Sequence, residues 1–152
     1  ITLDLFVIQV KQQTSSCINE PVALQYIHEP SEAVKLAAVE QDGYRIQCIY
    51  EPSEAVQLAA VKENGSSIRY IHEPSEAVQL EAVKQDGSNI QYIRDPSEAV
   101  QTQAVIDKPA VLQYIRDPSD AICELAAGLN VIVVKFIKDH EQRERVMEKL
   151  KL

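Results

Sequence analysis

Three histidines, three cysteines and 23 carboxylates are the side chains through which this 152-residue chain would do chemistry. His28 and His72 share one column of an internal repeat, two units apart, with Tyr50 in the column between them. At about 10 Å per helical layer their imidazoles are expected roughly 20 Å apart, too far to share a metal. His140 stands alone near the C-terminus. Cys17, Cys48 and Cys123 are odd in number and far apart, in columns that elsewhere hold Val, Tyr or a polar residue. They form neither a disulfide framework nor a zinc spacing, and a reducing cytoplasm is the expected compartment. The serines that follow the prolines belong to helix starts and have no partner base. No glycine-rich phosphate loop, H-E-x-x-H, EF-hand or zinc-finger spacing occurs. Asn64-Gly65-Ser66 matches a glycosylation acceptor formally, but its place between two helices reads as a helix stop. No catalytic residue, metal site or cofactor is expected.

The carboxylates do form a pattern. Glu29, Glu51, Glu73, Asp95 and Asp117 recur every 22 residues, and Glu32, Glu54, Glu76, Glu98 and Asp120 recur beside them. One reading makes both rows helix-terminal groups, each stabilising a positive helix end by about 0.5–2 kcal/mol. The other makes Glu29, Glu32, Glu51, Glu54, Glu73, Glu76, Asp95 and Glu98 an acidic edge that engages a basic partner. Arg94, Arg116 and Lys138 stand immediately before the later acids, where the earlier units have His28, Tyr50 and His72. Charge therefore changes along the array and gives it a polarity.

The elements that carry these columns follow from the period. Pro30, Pro52, Pro74, Pro96 and Pro118 are each 22 residues apart, and PSEAVQLEAVKQDGSNIQYIRD (Pro74 to Asp95) is the unit written repeatedly. Self-similarity at such a period marks a solenoid, in which each unit buries its apolar face only against its neighbours. Asp95-Pro96-Ser97-Glu98 reads as a helix start, with the acid at the N-cap and proline at the first helical position. The run Ala77, Val78, Leu80, Ala82, Val83 gives a helix of about three turns, ended by Gly87 in a left-handed conformation. Ile90 and Ile93, three apart, share one side of a helix but opposite sides of a strand. The second half of the unit is thus expected to be a short α or 3₁₀ helix.

The fold class expected is all-α: an α-solenoid of 22-residue helix-turn-helix repeats forming one domain over 1–152. Its parts would be a degenerate N-terminal cap at 1–20, tandem repeats at 21–139 and a capping helix at 140–152. ITLDLF at the start alternates like a strand, although its phase also allows the helical cap. Val131 to Val134 poses the same question. In His140 to Leu152, Val146, Leu150 and Arg143 align on one side of a final amphipathic helix. The alanine column Ala38, Ala60, Ala82, Ala104 and Ala126 marks close helix approach. The column Tyr26, Cys48, Tyr70, Tyr92, Tyr114 and Phe136 reads as packing between layers with hydroxyls at the rim.

Net charge is −8. It argues against broad contact with nucleic-acid phosphates or an anionic membrane. No run reaches the roughly 18 apolar residues of a membrane span. The first ten residues lack the basic start and cleavage site of a signal peptide.

Ala82-Val83-Lys84-Gln85-Asp86-Gly87, followed by Ile90, Tyr92 and Ile93, resembles the unit AVKQ-x-G-x-x-(I/L)-x-(Y/F)-(I/V) of a tandem-repeat family. That family occurs in bacteria, phages and large viruses and is catalogued only as a domain of unknown function; the likeness covers roughly residues 17 to 139. The resemblance implies a helical fold and brings no activity. A looser likeness to leucine-rich-variant repeats implies a 3₁₀ second helix.

Two functions follow as expectations. The first is a non-enzymatic solenoid that binds a partner protein along an extended face. Columns that vary among units are freed from packing, and they nominate Lys35, Gln57, Gln79 and Gln101 together with Glu81 and Gln103. The second is an acidic inhibitor, of phage or viral type, that occupies the basic channel of a nucleic-acid-handling enzyme.

Overall fold

The structure, a computed structural model, describes residues 30–152. The cap expected at 1–20, the repeat that begins at Pro21, and Cys17, Tyr26, His28 and Glu29 lie outside the described residues.

Among the described residues the fold is all-α: five ten-residue α-helices alternate with six-residue 3₁₀ helices, and an eleven-residue α-helix ends the chain of elements. In chain order the helices are α1 (Glu32–Gln41), η1 (Gly43–Cys48), α2 (Glu54–Glu63), η2 (Gly65–Tyr70), α3 (Glu76–Gln85) and η3 (Gly87–Tyr92). They continue as α4 (Glu98–Asp107), η4 (Pro109–Tyr114), α5 (Asp120–Leu129), η5 (Val131–Phe136) and α6 (His140–Leu150). The chain forms two compact units, residues 1–78 and 79–152. In the first, α1 packs on α2 and η1 on η2. In the second, α4 packs on α5 and α5 on α6, with η3, η4 and η5 in sequence alongside.

Each long helix buries the same columns. Val56, Ala60 and Val61 of α2 and Val100, Ala104 and Val105 of α4 are fully enclosed. Because 3₁₀ helices turn every three residues, side chains at i and i+3 eclipse. Ile46 with Ile49, Ile68 with Ile71, and Ile90 with Ile93 accordingly enter the core as pairs. Val131 to Val134 belongs to 3₁₀ helix η5 and not to a strand, because Val134 and Ile137 repeat that buried pair. The tyrosines lie further out than interlayer packing requires: Tyr70, Tyr92 and Tyr114 are 40%, 40% and 48% exposed. The residue after each, Ile71, Ile93 or Ile115, fills the core instead.

Two local expectations are corrected. The N-cap is serine, one residue after proline: Ser53, Ser97 and Ser119 each accept the backbone N–H three residues on, at 3.3–3.4 Å. The acid before the proline stands outside the helix, and Glu51 and Glu73 take left-handed φ values of 45° and 50°. Glycine, conversely, takes no positive φ. The α-helix stops in extended backbone at Asp42, Asn64 or Lys108, and glycine opens the 3₁₀ helix of the repeats that contain it. Its role is clearance. A Cβ on Gly43 would stand 2.3 Å from the Ala60 carbonyl oxygen, and one on Gly87 2.6 Å from that of Ala104.

A cap that the sequence reading overlooked starts four of the five short helices among the described residues. Asp42, Asn64, Asp86 and Asn130 use Oδ1 to accept the backbone N–H two residues ahead, from Tyr44, Ser66, Ser88 and Ile132. The recurring Asp or Asn before glycine was its signal. Lys108 breaks the column where Pro109 replaces glycine, and proline opens the short helix directly.

Inside this regular core Ser67 is fully buried, and its Oγ has no hydrogen-bond partner among the described residues. The same column holds Val111 and Val133 in later repeats. Ser67→Ala is therefore expected to raise stability by about 1 kcal/mol, by removing a desolvated hydroxyl. A denaturant titration showing a clear loss would mean that the hydroxyl is bonded in solution.

Candidate functional site

The acid column at the helix starts belongs to a ladder between repeats. Ser53, Ser75 and Ser119 each accept a backbone N–H from their own helix and donate their hydroxyl to the glutamate that begins the previous long helix. In the first unit Ser53 donates to Glu32, and Ser75 donates to Glu54 at 2.5 Å. In the second, Ser119 donates to Glu98 at 3.2 Å. Asp120 ends the series by accepting Gln142 Nε2 at 2.9 Å and Arg145 Nε at 3.2 Å. Glu32, Glu54 and Glu98 thus hold repeats together, and their exposed carboxylates are partly committed. The other acid column, with Glu51, Glu73 and Asp95, is exposed and precedes the prolines.

The cations are unevenly placed. Residues 1–78 contain five of the 15 Lys and Arg and eleven of the 23 Asp and Glu; residues 79–152 contain ten and twelve. Net charge is therefore −6 in the first unit and −2 in the second. In the second unit Arg116, Lys138 and Arg145 line a cavity of about 300 Å³ with Asp117, Asp139 and Gln142. There α6 docks through Val146, which is buried, while Arg143 donates to the Ile137 carbonyl and Lys149 reaches Glu124 at 2.6 Å. The final helix thus packs as its amphipathic pattern predicts, with Arg143 bonded to backbone.

Lys108 Nζ lies 2.7 Å from Asp86 Oδ1, one repeat earlier in the same column. The Lys108 hydrogen bond, then the Ser88 N–H, hold the Asp86 carboxyl below its ordinary 3.8. Arg145 and then Gln142 do the same for Asp120. A carboxyl depressed in the folded state stabilises above its unfolded value, and that contribution is lost as pH falls through the folded one. Stability is therefore expected to decline below about pH 4. Asp86→Asn keeps the helix cap, as Asn64 and Asn130 do, and should flatten the acid slope in urea titrations. An unchanged slope would remove Asp86 from the account.

The variable columns divide. Gln57 and Gln101 are half-buried, and their amides donate to the carbonyls of Pro52 and Pro96 at 2.9 Å, which gives this column a local structural task. Lys35, Gln79, Glu81 and Gln103 are also half-buried on the long helices. The first unit also has a groove of about 490 Å³ between α1 and α2. Ala55, Leu58, Ala59 and Lys62 follow i, i+3, i+4, i+7 spacing, so one face of α2 makes its wall, with Glu40 and Glu63 also lining it. The sequence reading missed this groove. Its signal was the Leu-Ala pair at 36–37 and 58–59, which gives way to Thr102-Gln103 in α4.

Among the described residues the reactive side chains do not converge. His72 is exposed, and His140 faces Glu144 at 3.6 Å. Burial, then Asp120 and Glu124, push the Cys123 thiol up to about 11, so it stays protonated at neutral pH. Among the described residues no group of three or more His, Cys, Asp or Glu is placed to hold a metal, and no helix is long and apolar enough to cross a membrane.

Compared with known proteins, the chain matches no family model, no curated protein and no solved structure.

Proposed function

We propose that this protein is a non-enzymatic interaction module that holds a partner protein on the long-helix face of its repeats, in a reducing cytoplasm. The observation that carries the reading is the α1–α2 groove. Packing uses the Val and Ala columns completely, yet Leu58 and Ala59 remain half-buried beside a 490 Å³ space. Repeat arrays bind through such extended faces, with packing columns held constant and surface columns varied. The likeness of the repeat to a helical family without assigned activity fits this role.

A second reading is favoured by the −6 charge of residues 1–78. Here the exposed column with Glu51 and Glu73 occupies the basic channel of a nucleic-acid-handling enzyme, as a phage or viral inhibitor would. Capture of partners from lysate at low and moderate salt separates the two readings. Retention at moderate salt and by Glu51→Lys/Glu73→Lys supports the groove-based module. Loss of a single basic partner under both changes supports the inhibitor. Glu54 and Glu76 are poor reversal sites because they begin helices, and Glu54 also accepts Ser75 in the ladder.

A further inference from the structure

Resting on the protein-binding reading, we infer that the α1–α2 groove takes a basic peptide segment anchored by an aliphatic side chain. The wall formed by Ala55, Leu58 and Ala59 presents methyl and methylene groups and no side-chain hydrogen-bonding atom, so it selects an apolar side chain by exclusion. The groove is open to solvent, and its volume of about 490 Å³ has room for a large aliphatic side chain. The rim selects charge. Glu40 and Glu63 supply two carboxylates against the one ammonium of Lys62. The described residues of this unit, 30–78, carry four Lys or Arg and eight Asp or Glu, a net −4, so an approaching cationic segment is steered inward and an acidic one is repelled. The occupant is therefore a polypeptide with Leu, Ile or Met close to Lys or Arg, the aliphatic residue in the groove and the cation against Glu40 or Glu63. The salt-resistant part of binding comes from the anchor, and the selectivity comes from the rim.

The chain itself supplies a variant that alters the groove without an untried helix sequence. In the columns of Leu58 and Ala59, α4 carries Thr102 and Gln103, and it still buries Val100, Ala104 and Val105 in a ten-residue helix. Leu58→Thr/Ala59→Gln thus gives α2 the α4 surface and leaves its buried columns intact.

The test pans a random dodecapeptide phage library on the folded full chain, with counter-selection on L58T/A59Q. Selected peptides are then measured by fluorescence anisotropy and by amide-shift mapping. The expected result is enrichment of peptides that pair an aliphatic residue with a nearby Lys or Arg. They should weaken roughly tenfold or more on L58T/A59Q and several-fold on Glu40→Gln/Glu63→Gln, with shifts centred on residues 55–63. Peptides that bind wild type and L58T/A59Q equally would overturn the groove assignment and leave a protein-binding surface elsewhere. Enriched peptides that are apolar but acidic would overturn the charge assignment. No enrichment would overturn the inference, whereas the reading beneath it would fall only if lysate capture also yields no partner.

Discussion

Gly43→Ala is expected to lower stability by about 3 kcal/mol, the upper end for adding one methyl group to a packed interior. The new Cβ would meet the Ala60 carbonyl oxygen at 2.3 Å, Ser67 Oγ at 2.7 Å and Asn64 N at 3.2 Å. Two of these three atoms are backbone, so relief requires η1 and α2 to move apart and not merely a rotamer change. Gly87→Ala should act the same way with a somewhat smaller effect, since its nearest approach is 2.6 Å, to Ala104 O. For a chain of this size the Gly43 loss corresponds to a melting point lower by roughly 6–12 °C. Gly128→Ala is the internal control. Gly128 lies within α5, is exposed and has nothing within 4 Å of an added Cβ. Alanine there should stabilise by up to about 1 kcal/mol through helix propensity. Opposite signs at 43 and 128 in one set of thermal melts would establish clearance as the reason for glycine. Equal, small losses would refute it.

Ala82→Leu is the second large effect, at about 1–3 kcal/mol of overpacking. Ala82 has no accessible surface, and its carbonyl accepts Asn89 Nδ2 at 2.9 Å. That bond ties the short helix η3 to α3, so the backbone at this column is held in place. With no accessible surface at Ala82, leucine must displace the groups packed around it. A denaturant midpoint close to wild type would mean that the alanine column is less confined than its burial indicates.

The architecture was readable because the proline period and the repeated apolar columns need no knowledge of tertiary contacts. Spacing of three between Ile90 and Ile93 likewise identified the short helix, and 3₁₀ geometry made that pair face one way. The glycine role was not readable. A left-handed φ and a missing Cβ call for the same residue, and only the position of the neighbouring carbonyl distinguishes them. The cap was misplaced by two residues because Asp95 and Ser97 are both good cap residues. What decides between them is where the hydroxyl meets the helix N–H. Serine does so here, which frees Glu98 to accept from the next repeat.

The site was legible in outline only. Acid columns, cation gradient and variable positions were all visible, but sequence could not tell which carboxylates the Ser–Glu ladder engages. Nor could it tell that Gln57 and Gln101 bond to backbone. The groove arises from what is small, Ala55 and Ala59 beside Leu58, and open space has no letter in a sequence. Its contrast with Thr102-Gln103 becomes meaningful once the long helices are known to face a neighbour.

Amine-reactive cross-linking of the captured partner complex, read by mass spectrometry, tests the central claim most directly. Lys35 on α1 and Lys62 on α2 are the two lysines of the first unit among the described residues. The account predicts partner cross-links at Lys35 and Lys62, lost in L58T/A59Q. Cross-links confined to Lys135, Lys138, Lys149 and Lys151, unchanged in that variant, would contradict it.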